Sequence, residues 1–201
     1  MVIRAVVFDV GGVLALCEPM DFDGRAEARF GLAGGAIGEM LSDVWADGAI
    51  GRATEADVER ALRERLGLSA AQAEAVLADM WRQYLGVANT ELIDYARGLR
   101  PAYRTAILSN SFVGAREREQ SAYGFGDLVD DIIYSHEVGM SKPDPRLWEL
   151  TCRRVGVAPS EMVFVDDAAR AVEGAREFGI HGVLFEDTSQ VVNAIDALLG
   201  R

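Results

Sequence analysis

Asp9 closes an apolar run, Val6-Val7-Phe8, and is followed at once by Gly11-Gly12. A carboxylate held at a strand end can attack phosphorus and form an acyl phosphate, which splits one hard displacement into two easier ones. Ala106-Ile107-Leu108 ends in the same manner in Ser109-Asn110, whose polar atoms suit a phosphoryl oxygen. Val163-Phe164-Val165 ends in Asp166-Asp167. Such an acid pair can hold Mg2+, which keeps some of its waters and bridges to substrate phosphate. Lys142 lies in a proline-bounded loop, Ser141-Lys142-Pro143-Asp144-Pro145, and can offset charge building on nucleophile and phosphate. Taken singly, each group also has an everyday structural use. Asp9 and its glycines suit a turn, Ser109 and Asn110 a turn or helix cap, Lys142 a solvated loop, and Asp166 and Asp167 a helix N-terminus. In an open α/β sheet the ligand crevice lies outside the carboxyl ends of the strands, so one mouth can gather all of them.

The elements that must position these groups are legible from periodicity. Short apolar runs predict buried parallel strands over 2–8 and near 103–108, 131–135, 162–166 and 182–185. Helical patterns fall near 90–98, 113–121, 145–155, 168–178 and 189–199. Strands separated by helices imply right-handed crossovers and a parallel sheet. Between about Leu16 and Leu85 the texture changes, and Ala, Glu, Arg and Leu dominate. Thr54 opens a helix with Glu55 and Asp57 in its first turn, and Val58, Ala61, Leu62 and Leu66 form one face. Ser69 starts the next, with Gln72 placed for a capping box. Two further helices are expected near 22–30 and 36–47. The expectation is a Rossmann-like α/β core, residues 1–14 and 87–201, with an all-helical insert over 15–86.

The chain has 201 residues, half of them hydrophobic, enough for a sizeable core, and a formal charge of −12. That charge argues against nucleic acid, whose backbone rewards clustered Lys and Arg, and against an anionic membrane surface. No apolar stretch approaches a membrane span, and the N-terminus lacks a signal-peptide pattern. A cytoplasmic protein, monomer or homodimer, is expected. Cys17 and Cys152 lack metal-ligand spacing and read as small buried hydrophobes, with a single disulfide left open.

Order, placement and spacing of the four polar groups together resemble the haloacid dehalogenase (HAD) superfamily, dominated by phosphatases. The motifs are Phe8-Asp9-Val10-Gly11-Gly12-Val13-Leu14, Leu108-Ser109-Asn110, Ser141-Lys142-Pro143-Asp144 and Phe164-Val165-Asp166-Asp167. The helical insert resembles the C1-type cap of subfamily I. The resemblance implies Asp9 as nucleophile and Mg2+ ligand, the Gly11 carbonyl as a second ligand, and Asp166 as a third. Asp167 would bind the metal or one of its waters. Ser109 and Asn110 would hold the phosphoryl group, and Lys142 would steady nucleophile and phosphoryl. The cap would close over the site and select the substrate. The implied reaction is Mg2+-dependent hydrolysis of a small phosphorylated metabolite through an aspartyl-phosphate.

Two departures matter. Phosphatases of the family carry a second aspartate two residues after the nucleophile, to protonate the leaving oxygen and activate water; here Gly11 stands there. General acid–base catalysis contributes roughly 10²–10⁴-fold, about 3–5 kcal/mol of barrier. Glu18, Asp21 and Asp23 are candidate substitutes near the insert's entry. A dehalogenase needs no such proton, although dehalogenases of the family lack an acid pair like Asp166-Asp167. A HAD-fold protein with weakened or lost catalysis, acting in binding or regulation, is the other alternative. Ala171 stands where relatives often have Asn, which implies a looser Asp166 loop. His136 and His181 are too far apart for a shared metal site. Trp81 and Tyr84 read as insert core, Trp45 as a further aromatic of the insert, and Arg52 as a solvated arginine.

Overall fold

The computed structural model describes residues 2–201. The chain runs β1 (Ala5–Phe8), β2 (Ala15–Leu16), α1 (Phe22–Phe30), α2 (Ala36–Met40), α3 (Ser42–Ala49), α4 (Glu55–Leu66), α5 (Ala70–Leu85) and β3 (Val87–Ala88). It continues α6 (Thr90–Leu99), β4 (Arg104–Ser109), α7 (Ala115–Tyr123), α8 (Phe125–Leu128), β5 (Asp131–Tyr134), α9 (Ser135–Val138) and α10 (Pro145–Val155). It ends β6 (Met162–Asp166), α11 (Ala169–Glu177), β7 (His181–Leu184) and α12 (Thr188–Leu199).

Five strands form a parallel sheet in the order β5-β4-β1-β6-β7. β1 is central and buried on both faces, which its Ala-Val-Val-Phe sequence permits. Alternate side chains divide between two cores. Val6, Phe8, Ile107, Val163 and Val165 pack with Leu92 and Ile93 of α6 and with Val191 and Ile195 of α12. Val7, Ala106, Leu108 and Phe164 pack with Leu147 and Trp148 of α10 and with Ala171 and Ala175 of α11. The chain leaves β1 for β4 on one side and β6 on the other, so the switch point that opens a crevice in such sheets falls at the carboxyl end of β1.

Helices α1 to α5 enclose a third core around Ile37, Leu41, Val58, Leu62, Val76 and Trp81. Thr54 and Ser69 each close a capping box, with Asp57 and Gln72. The single helix expected over 36–47 is two helices that meet at Leu41, φ −115° and ψ 9°. Leu41 is fully buried, and the break turns it inward. The buried Glu27 carboxylate fixes the start of α2 by accepting from Gly35 N and Ile37 N, each at 2.8 Å. An antiparallel ribbon, Ala15 opposite Ala88 and Leu16 opposite Val87, ties together the two ends of the insert. Two-residue strands carry no periodicity, so the sequence offers no sign of it. The insert grips the core through Phe112, which packs on Trp45 at 5.5 Å and Trp81 at 6.1 Å between ring centroids. Gly48 is required there, because a Cβ would sit 2.3 Å from the Phe112 ring. No helix among the described residues is long and apolar enough to cross a membrane.

Candidate active site

Asp9 follows β1 directly, and its backbone stays in the sheet through Asp9 N to Val165 O, 2.9 Å. Its carboxylate is buried at the switch point, 2.9 Å from Lys142 Nζ. The same ammonium lies 2.5 Å from Asp166 Oδ2 and 3.2 Å from the Leu108 carbonyl. Asp166 Oδ2 and the Leu108 carbonyl accept hydrogen bonds from it, whereas Asp9 Oδ1 is its ion-pair neighbour without a hydrogen-bond partner. Asn110 holds Lys142 in place from the backbone: its Oδ1 accepts from Lys142 N at 2.7 Å and its Nδ2 donates to Lys142 O at 3.1 Å. The Asn110 amide is therefore committed to the Lys142 loop.

Asp166 is fully buried at the end of β6, and its Oδ1 accepts from Ala168 N at 2.8 Å. Both of its oxygens are engaged in this way. Ala171 lies buried on α11, so the Asp166 loop is held by Lys142 and the Ala168 amide. Asp167 is exposed, and oxygens of Asp9, Asp166 and Asp167 all lie within 4.8 Å of one another. Gly12 has φ +75°, and a Cβ there would fall 2.1 Å from Asp167 Oδ2. The glycine lets this carboxylate lie against the loop that carries Gly11, which is closed by Gly12 N to Ala15 O at 2.8 Å and Ala15 N to Val10 O at 2.8 Å. Ser109, the last residue of β4, is buried beside Tyr134, its register partner on β5.

Burial pushes the Asp9 carboxyl up to about 6, with Lys142 pulling down and the Asp166 charge pushing up. Burial and Asp166 also raise Asp167. Burial works against the Lys142 ammonium, but the Asp9 and Asp166 carboxylates outweigh it and hold Lys142 above its ordinary value. Three carboxylates against one ammonium leave two negative charges in excess. An oxygen-only donor set with that excess fits a hard divalent cation such as Mg2+. The cleft over these groups, about 250 Å³, is lined by Asp9, Asn110, Lys142, Pro143, Asp166, Ala168, Arg170 and Ala171. That volume lies just below the roughly 300–1,000 Å³ range of small-molecule sites.

The family model of haloacid dehalogenase-like hydrolases matches residues 3–179. The chain belongs to this family. It is 26% identical over 219 residues to bifunctional epoxide hydrolase 2 of Sus scrofa, covering all of this chain and 39% of that protein. It is 25% identical over 188 residues to D-ribitol-5-phosphate phosphatase of Bacteroides thetaiotaomicron, covering 88% and 89% of the two chains. A predicted HAD-like family hydrolase from Porphyromonas gingivalis superposes with a TM-score of 0.82 at 27% identity over the full length of both chains. A HAD family enzyme from Bacteroides thetaiotaomicron, in complex with magnesium and inorganic phosphate, has a TM-score of 0.75 at 22% identity over 94% and 98%, a likeness of fold.

Other residues singled out in the sequence lie elsewhere. Glu18 and Asp21 are exposed, Asp23 Oδ1 accepts from Gly24 N, and none of the three lines the Asp9 cleft. His136 Nδ1 is 2.6 Å from Ser111 Oγ, and His181 Nε2 is 3.2 Å from the Ser160 carbonyl. Trp81 and Tyr84 pack edge-to-face at 5.1 Å. Arg52 is exposed. Cys17 and Cys152 are free, and the half-buried Cys17 thiol donates to the Tyr84 carbonyl at 3.3 Å. Sequence reasoning missed Glu119. It lies in the run Arg116-Glu117-Arg118-Glu119, which reads as a solvated face, yet Glu119 is fully buried. Its spacing of four from Ala115 and from Tyr123 was the available signal.

Proposed function

We propose that this HAD-family hydrolase is a Mg2+-dependent phosphatase acting on a small phosphorylated metabolite through an aspartyl-phosphate on Asp9. The convergence of Asp9, Lys142, Asp166 and Asp167 at the switch point carries this reading. Asp9, Asp166 and Asp167, with the Gly11 carbonyl, would hold Mg2+. Asp166 also binds Lys142 through Oδ2. The ion would supply charge neutralisation at the phosphoryl oxygens.

Lys142 orients Asp9 and offsets charge on the transferring group. Ser109 holds a phosphoryl oxygen, and Asn110 positions Lys142. An Asp9 oxygen bonds to phosphorus as the ester P–O bond breaks, and the alcohol leaves with a proton from water. Water then cleaves the acyl phosphate, releasing inorganic phosphate and free Asp9. Gly11 offers no side-chain acid for the leaving group, so the reading favours leaving groups of low basicity.

The test is phosphate release with Mg2+ from a panel of aryl, acyl, sugar and polyol phosphates, for the wild type and Asp9→Asn. Wild-type turnover that is fastest on aryl or acyl phosphates and is lost in Asp9→Asn is the expected result. Absence of release from every ester refutes the reading. Gly11 also favours a second reading, dehalogenation, because halide departs without a proton. Halide release from 2-haloacids by the wild type, without phosphate release, would establish that reading instead.

A further inference from the structure

Among the described residues, those lining the cleft over Asp9 all belong to the α/β core, and none to the insert. Two of them are cations. Lys142 is buried and engaged by Asp9, Asp166 and the Leu108 carbonyl. Arg170 is exposed, at the rim of the cleft. Helix α11 starts directly behind the Asp166-Asp167 pair, and helical side chains lean toward the N-terminus of their own helix. For Arg170 that direction is the mouth. Gly174 lies one turn further on, on the same face, and a Cβ there would fall 2.6 Å from Pro143 Cβ. This close approach seats that face of α11 on the loop that carries Lys142.

Arg146 and Arg154 pair with Asp144 and Asp131. Arg170 has no carboxylate partner among the described residues. It stands in the first turn of α11, which holds no acid, and a positive charge there opposes the helix dipole. An anion bound in front of Arg170 would offset that cost. A second cleft, about 400 Å³, adjoins the first, and Pro143 and Arg170 line both. It passes Pro145, Trp148 and Phe178 between α10 and α11, and its volume is within the range of small-molecule sites. Glu173 and Glu177 also line it. Their charges disfavour an anion along the rest of this cleft, which leaves the Arg170 end, beside Asp9, as the place for one.

We propose that Arg170 is a specificity-determining residue that binds a carboxylate on the leaving group of the substrate. The substrate class is then carboxylate-bearing phosphate monoesters, with the phosphate over Asp9 and the carboxylate at the seam of the two clefts. The assignment rests on the phosphatase reading and narrows it. A guanidinium presents paired donors that match the two oxygens of a carboxylate. Selection of the leaving group at this seam is made by the core, through a residue that touches neither the metal ligands nor Lys142.

The test is calorimetric binding, with Mg2+ and the intact protein, of phosphonoacetate and phosphonopropionate. Ethylphosphonate and propylphosphonate, of the same chain lengths, lack the carboxylate. At least one acid is expected to bind the wild type about tenfold more tightly than its alkylphosphonate. Arg170→Gln changes an exposed side chain. It is expected to bring that ratio to within about twofold of unity and to leave alkylphosphonate binding unchanged. Equal affinities at both lengths, failure of both acids to bind, or a preference that survives in Arg170→Gln overturns the assignment. Phosphate release from esters alongside any of those results retains the phosphatase reading without Arg170. An Arg170-dependent preference for the acids, with no phosphate released from any ester, removes the phosphatase reading and leaves Arg170 as a carboxylate site.

Discussion

Asp166 and Glu119 are both fully buried acids within reach of Asp9's charge, and the fold treats them differently. Asp166 has a lysine ammonium on one oxygen and a backbone amide on the other. Glu119 has one phenol on one oxygen and no donor on the other. The first arrangement gives both carboxylate oxygens a donor, as a site that must orient Lys142 and Asp9 requires. The second makes the charge conditional on the proton, because burial raises the carboxyl to about 7. A buried acid paired with a cation can orient its neighbours, whereas one that faces phenols resists ionisation.

The largest effect should come from removing the shared cation. Lys142→Met leaves Asp9 and Asp166 buried without a counter-charge and is expected to lower stability by about 3–5 kcal/mol, read by urea unfolding at pH 8. A loss below 1 kcal/mol would mean that the two carboxylates do not depend on Lys142.

Glu119→Gln sharpens the other side of the contrast. The folded-state value is raised from 4.5 to about 7, so ionisation costs the folded wild type stability as pH rises through that window. The variant is expected to lack that descent and to gain about 2–3 kcal/mol on the wild type at pH 8. Parallel stability–pH curves for the two proteins would show that Glu119 is not held protonated by burial.

Asp9→Asn tests the same logic at the catalytic carboxylate. Asp9 is raised from 3.8 to about 6, so its ionisation also costs stability as pH rises between those values. A gain of about 1–3 kcal/mol at pH 8 in the absence of Mg2+ is expected in thermal or urea unfolding. The gain should shrink when Mg2+ is added, since the ion stabilises the wild type by binding the folded state.

The smallest effect belongs to Gly12→Ala. Its left-handed φ and the contact with Asp167 Oδ2 predict about 1–2 kcal/mol of destabilisation. Weaker Mg2+ binding by calorimetry should accompany it, because Asp167 must move. Unchanged Mg2+ affinity would remove Asp167 from the set of ligands.

The amino-acid sequence by itself determined the order of strands and helices, the apolar runs of the sheet, the helical character of the insert and the chemical identity of the groups at the strand ends. These are local properties, written in periodicity and in residue type. Even so, a two-residue ribbon such as β2 with β3, and a break such as Leu41, lie below the length at which periodicity speaks. Tertiary structure alone decided the division of labour among the acids. Asp166 and Asp167 are neighbours in sequence, yet strand pleat and helix start turn one inward to Lys142 and leave the other free beside Gly12. Glu117 and Glu119 belong to one charged run, yet helix geometry sends Glu119 between two tyrosines from segments 50 residues apart in the chain. Burial, and with it the free energy of a charge, is set by what packs from elsewhere in the chain, and no local pattern records it.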